Sequence, residues 1–186
     1  MISADNQQER LVCSKDNINV LRELPRENLK YFLAGFVDGE GSFNISFAKP
    51  LPIRPQWTIL TKFQIYQHQN HREILELFQE VLEVGRIDKK SGSDVLSLTV
   101  ESRKNLLEKV IPFFRIYPLA TKAAAFRKFD TIINMMDRKE HKRWEGFEKL
   151  VLLAHSMNAE GRFRLYSPEY ILETARPIFS DKNSLL

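Results

Sequence analysis

From Pro25 onward the apolar residues change rhythm several times. Leu29, Phe32, Leu33, Phe36 and Val37 recur at helical spacing, predicting a helix from Arg26 to a stop at Gly39 or Gly41. Ser42-Phe43-Asn44-Ile45-Ser46-Phe47 then alternates with period two, as a strand with one buried face does. The three prolines of KPLPIRPQ mark a loop. Trp57 to Gln67 alternates again, with Ile59, Thr61, Phe63 and Ile65 on one side and Thr58, Leu60, Lys62, Gln64 and Tyr66 on the other. An amphipathic helix from Glu73 to Glu83 follows, then a hairpin that turns at Ser91-Gly92-Ser93-Asp94 and returns through Val95 to Val100. Ser102 caps a helix that stops near Pro118, and further helices are expected at 121–137, at 141–157 with an end near Asn158 or Gly161, and from Ser167-Pro168-Glu169.

The order helix, two strands, helix, two strands, helix predicts an α+β fold: one antiparallel or mixed four-stranded sheet with helices on one face and the other face left open. Residues 1–25 read as an N-terminal extension containing at most a short helical turn. Residues 26–160 form the main domain, and 161–186 a C-terminal extension packed on it or continuing it.

Charge sharpens this picture at one place. The chain of 186 residues carries a formal net charge of only +4, but from Gly41 to Arg72 the basic residues Lys49, Arg54, Lys62 and Arg72 occur with no Asp or Glu. Both of the first two strands therefore share a basic, amide-rich face suited to a polyanion. A single cysteine, Cys13, excludes an internal disulfide and a cysteine-built zinc site. No apolar run approaches the length of a membrane span, and MISADNQQER lacks the layout of a secretory signal, so no membrane partner is expected. The expected location is intracellular: a bacterial cytoplasm or an organelle such as a chloroplast or mitochondrion.

Candidate chemistry concentrates in Leu33-Ala34-Gly35-Phe36-Val37-Asp38-Gly39-Glu40-Gly41. Gly35 and Gly39, four apart, share a helix face and let a second helix approach closely. Glu40 stands where the helix's last carbonyls carry partial negative charge, an unfavourable place for a carboxylate unless a cation is present. A hard divalent ion held by Glu40, the Gly39 carbonyl, waters and phosphate oxygens resolves the conflict.

LAGFVDGEG resembles the signature of the LAGLIDADG homing endonucleases, matching its Leu, Ala, Gly, Asp and final Gly in register. The element order from Arg26 to Asn158 is also that family's αββαββα core, and YPLATKAAAF and EGFEKLVLLAHSMNAEGRFR resemble its tail. The resemblance implies a four-stranded antiparallel DNA-binding sheet, additional C-terminal helices, and site-specific hydrolysis of one phosphodiester on each strand of a long, nearly palindromic double-stranded DNA target. With one signature in the chain, it also implies a homodimer joined through Leu33, Gly35, Phe36 and Gly39. Glu40, a Glu where the family name has Asp, becomes the metal ligand for Mg, with Mn or Ca able to occupy the same site, while Asp38 takes a structural role.

By the same resemblance Gln67, His71 and Lys122 surround the metal. Gln67 also reads simply as a strand end, His71 as a helix start and Lys122 as a solvated lysine. Strand alternation nominates Asn44, Ser46, Lys49, Lys62, Gln64, Tyr66, Arg86, Asp88, Lys90, Val95, Ser97 and Thr99 as DNA contacts in the major groove, with Arg54 reaching from the loop. Gln67-His68-Gln69-Asn70-His71 is too compressed for an HNH nuclease finger. Two alternatives stand beside the nuclease: an intron maturase binding intron RNA through the basic stretch 121–164, and a catalytically inactive DNA-binding regulator, which Glu40 disfavours.

Overall fold

Helix α1 (Arg26–Glu40) starts after the extended backbone of Pro25 and ends against Gly41. A Cβ on Gly41 would lie 2.4 Å from Val37 Cγ1 and 2.8 Å from the Val37 carbonyl oxygen, so glycine alone lets the chain pass directly from helix into strand. In this computed structural model, which describes residues 19–53, 56–157 and 164–183, β1 (Gly41–Ala48) then pairs with β2 (Thr58–His68). A 3-10 turn, Gln69–His71, leads into α2 (Arg72–Leu82), and β3 (Arg86–Lys89) returns on β4 (Val95–Val100). The sheet order is β1-β2-β4-β3 and every pairing is antiparallel.

The next helix, α3, comprises three hydrogen-bonding segments, Arg103–Asn105, Leu106–Val110 and Ile111–Ile116, the middle one with π spacing. Pro112 supplies no N–H to this run, and the widened turn lies immediately before it. The Ser102 hydroxyl accepts from the Asn105 amide, as its sequence position foretells. Helices α4 (Ala123–Asp137), α5 (Trp144–His155) and α6 (Pro168–Asn183) complete the chain. Two expected starts move inward for physical reasons. α4 opens at Ala123 because the amides of Ala120 and Lys122 are committed to Asp38. α5 opens at Trp144 because Lys139, in the left-handed region at φ 61°, and the 3-10 turn Glu140–Lys142 reverse the chain first. α5 also closes at His155, short of the expected end.

Alternation along the strands sorts their side chains as anticipated. Phe43, Ile45, Phe47, Phe63, Ile65, Leu96, Leu98 and Val100 are buried under the helices, while Asn44, Ser46 and Leu60 are exposed on the far side. Phe43 anchors the core: its ring lies 5.2 to 5.5 Å from those of Phe63, Phe114, Phe126 and Phe129. α6 closes one end, burying Ile171 and Ala175 while the Trp57 indole N–H donates to Thr174 Oγ1 at 3.1 Å.

Polar contacts fix α1 at both ends. At its start the Tyr117 hydroxyl donates to the Glu27 carboxylate at 2.8 Å and accepts from Lys30 Nζ at 3.0 Å. At its finish Asp38 ties it to the entry of α4. The position of residue 40 is thereby set by the packed core rather than by a free loop.

Candidate active site and nucleic-acid interface

The last turn of α1 brings together four groups singled out from the sequence. Asp38 accepts from the backbone amides of Ala120 at 2.7 Å and Lys122 at 2.9 Å, and from the Thr121 hydroxyl at 3.1 Å. Burial opposes its ionisation, but the two amides, the hydroxyl and the charge of Lys122 outweigh that and hold the carboxyl below its ordinary value. This is the structural role implied for the first acidic position. Lys122 Nζ donates to the carbonyls of Asp38 and, at 3.2 Å, of Gly39. A cation thus sits at the negative end of the helix, which is where the macrodipole favours one. Glu40, the final helical residue, is exposed beside them.

Gln67 and His71 reach the same end of the sheet by register. Gly41 pairs with Ile65, so Tyr66, Gln67 and His68 are the residues of β2 that run on past the helix terminus. Gln67 Oε1 accepts from the His68 amide at 2.7 Å, and His71 is exposed at the N-terminus of α2. Among the described residues neither bonds to Glu40 or Lys122.

Among the described residues no three His, Cys, Asp or Glu side chains converge. A cation at Glu40 would therefore find no preformed cluster of three such side chains within the described residues of one chain. The donors that fit it are oxygens: Glu40, the Gly39 carbonyl through the lone pair that Lys122 leaves free, and groups brought by water, phosphate or a second copy. Such a set suits a hard, hydrated ion and not a thiolate- or imidazole-seeking one.

The signature helix corrects part of the expected dimer face. Leu33 is wholly buried within its own chain and Phe36 is half-buried, with its ring 5.9 Å from that of Phe78, so neither heads the outward stripe. The outward stripe is instead Asn28, Phe32, Gly35 and Gly39, at helical spacing and all exposed. A Cβ on either glycine would meet nothing within 4 Å.

On the open face of the sheet, Asn44, Ser46, Leu60, Lys62, Gln64, Glu101, Arg103 and Met136 are among the residues lining a concavity of about 520 Å3. Several nominated contacts are already paired there. Lys62 meets Glu101 at 2.8 Å, and Arg86 Nε donates to Asp88 at 2.5 Å, which leaves the outer nitrogens of the guanidinium fork unused by that bond. Ser97 lies between Tyr66 and Asp88 in register, and Lys90 ends the hairpin with its amide bonded to the Val95 carbonyl. Thr99 departs from expectation: it is only 8% exposed and its hydroxyl accepts from Gln64. Lys49 is exposed and lies 5.0 and 5.1 Å from the ring centres of Tyr166 and Tyr170, where the aromatic faces attract it. Arg54 lies outside the described residues. Glu101 and Arg103 escaped the sequence reading, although continuing the β4 alternation past Thr99 would have put Glu101 on the open face.

The model of the LAGLIDADG endonuclease family matches residues 33–133, more than half of the chain. DNA endonuclease I-CeuI of Chlamydomonas moewusii is 36% identical over 128 residues, 66% of this chain and 59% of that protein. The chain spans less than two thirds of the length of the curated relatives it first matches. Among solved structures, the group I intron-encoded homing endonuclease I-CeuI complexed with DNA superposes with a TM-score of 0.74 at 27% identity, covering 93% of this chain and 90% of that one. The archaeal intron-encoded homing endonuclease I-Vdi141I complexed with DNA gives 0.75 at 28% identity, covering 82% and 98%. I-SmaMI bound to uncleaved DNA with calcium ions gives 0.66 at 32% identity, covering 69% and 44%. With the signature helix, the Asp38 anchor and the open sheet all in place, the chain belongs to the LAGLIDADG endonuclease family.

Proposed function

We propose that the protein is a homodimeric, divalent-metal-dependent endonuclease that cuts both strands of a long, nearly palindromic DNA site, and that it serves intron homing. The observation that carries this reading is the placement of Glu40, exposed at the end of a glycine-striped helix, next to Lys122 and at the margin of an open polar sheet face. Packing Gly35 and Gly39 against the same residues of a second copy brings two Glu40 carboxylates to the two-fold axis, one for each DNA strand.

Magnesium is the expected ion. Glu40 would hold it, with the Gly39 carbonyl, and when bound it would supply positive charge for the scissile phosphate and make a nearby water more acidic. Lys122 adds a fixed positive charge where negative charge grows on the phosphate, and Gln67 and His71 offer polar groups for the attacking water and phosphate oxygens. The open sheet face takes up the major groove.

The direct trial uses duplex DNA made by joining the sequences on either side of the reading frame's intron. The full-length protein with Mg should produce one double-strand break at the junction, and none after chelation. Intact DNA, or equal cutting with and without the ion, would contradict the proposal.

A further inference from the structure

We propose that Gln64 reads an adenine in the major groove, and that Tyr66 and Thr99 act by holding its amide in the plane this reading needs rather than as base contacts themselves. The inference rests on the DNA-cutting function proposed above. Gln64 stands in the cross-strand row Ser42, Gln64, Thr99, Arg86, on the open face. Its Nε2 donates to Thr99 Oγ1 at 3.0 Å, and its Oε1 accepts from the Tyr66 hydroxyl at 2.9 Å. Gln64 lines the concavity of the sheet, whereas Tyr66 and Thr99 are not among the lining residues. With Thr99 buried, its hydroxyl reaches the Gln64 amide and is poorly placed for a base edge.

A primary amide has two N–H groups and two oxygen lone pairs. The two hydroxyls engage one of each, from the side along the strand and the side across the sheet. Both hydroxyls can donate or accept, so the amide plane is fixed while one donor and one acceptor stay available to the groove. That pair matches the adenine edge, which offers the N7 acceptor and the N6 donor side by side. Guanine presents two acceptors, and thymine an acceptor beside a methyl group, so each satisfies half of the amide and leaves the other half unpaired. Because folding already restricts the long glutamine side chain, less rotamer freedom is lost when DNA arrives.

The test is selection of bound duplexes from a randomised DNA pool by the full-length protein with calcium, comparing wild type with Gln64→Ala, Thr99→Val, Thr99→Ser and Tyr66→Phe. Wild type should demand an A·T pair at two symmetry-related positions. Gln64→Ala and the Thr99→Val, Tyr66→Phe double variant should relax that demand, and Thr99→Ser, which keeps the hydroxyl, should preserve it. In the selected duplex, 7-deazaadenine at those positions should weaken wild-type binding about tenfold and leave Gln64→Ala unaffected. A selected site with every preference unchanged in Gln64→Ala overturns the adenine assignment alone. Relaxation in Gln64→Ala without relaxation in the double variant overturns the positioning role. Failure to select any sequence removes the DNA-recognition reading, and this inference with it.

Discussion

Two carboxylates stand two residues apart at the end of α1, and their surroundings divide their roles. Asp38 is met by amides and a hydroxyl, whereas Glu40 projects from the helix end. Replacing Asp38 with Asn exchanges charge-assisted bonds for weaker ones and leaves an amide facing amides, so it should destabilise the fold by about 1–3 kcal/mol. The pH dependence has a defined sign. The folded-state pKa of Asp38 lies below the unfolded value, so its contribution is complete above about pH 4 and is lost as pH falls through the lower, folded value. Urea unfolding of wild type and Asp38→Asn should therefore show a gap at pH 7 that narrows in strong acid; a gap that widened there would reverse the assignment. Gly146 gives a second trial: a Cβ there would lie 2.1 Å from the Glu140 carbonyl oxygen, so Gly146→Ala should lower the melting temperature measured by circular dichroism. At this scale the sequence exposes chemistry better than exposure. Glu40, Asp38 and Gly41 are legible from type and position, while the burial of Leu33 and Thr99 is not, because periodicity assigns a face without showing which neighbour covers it.

Among the elements, α1 is the one with most to reveal. Its exposed stripe ends in two glycines that meet nothing, an arrangement that costs helix stability in a lone chain and is suited to the close approach of another helix. Gly35→Leu should leave the single chain folded, since a Cβ there meets nothing within 4 Å, yet shift sedimentation from dimer to monomer and abolish double-strand cleavage. A folded dimer with full cleavage would remove this helix from the interface. Helices and strands were legible because their periods, 3.6 and 2, suit one-faced burial in a layered α+β fold. The exact openings of α4 and α5 were not, because each waits on a tertiary event: the capture of Ala120 and Lys122 by Asp38, and the reversal at Lys139. The π-spaced turn before Pro112 has no periodic signature at all.

For the whole molecule, a net charge of +4 understates the asymmetry that matters. The first two strands carry no acid, but Glu101 and Asp88 arrive from neighbouring segments and neutralise Lys62 and Arg86 on the open face. Lys62 and Arg86 are thus partly spent on these acids, so the salt dependence of binding should come from other basic groups that meet phosphates, while sequence choice depends on bonds such as those of Gln64. Affinity insensitive to salt between 50 and 200 mM would argue against a phosphate-tracking interface. The layered architecture was readable in one chain; the complete cleavage site was not, because only one of the two carboxylates at the helix end is exposed, and the proposed site draws its remaining groups from DNA and a second copy.

The most direct measurement compares Glu40→Gln with wild type on the same target duplex, following binding by fluorescence anisotropy in calcium and cleavage in Mg. The expected result is unchanged size, retained binding and loss of cleavage by a factor of at least about a thousand, the scale expected when a charge-stabilising group is removed from a hydrolytic site. Cleavage by Glu40→Gln at the wild-type rate would contradict the assignment of the chemistry to the end of α1.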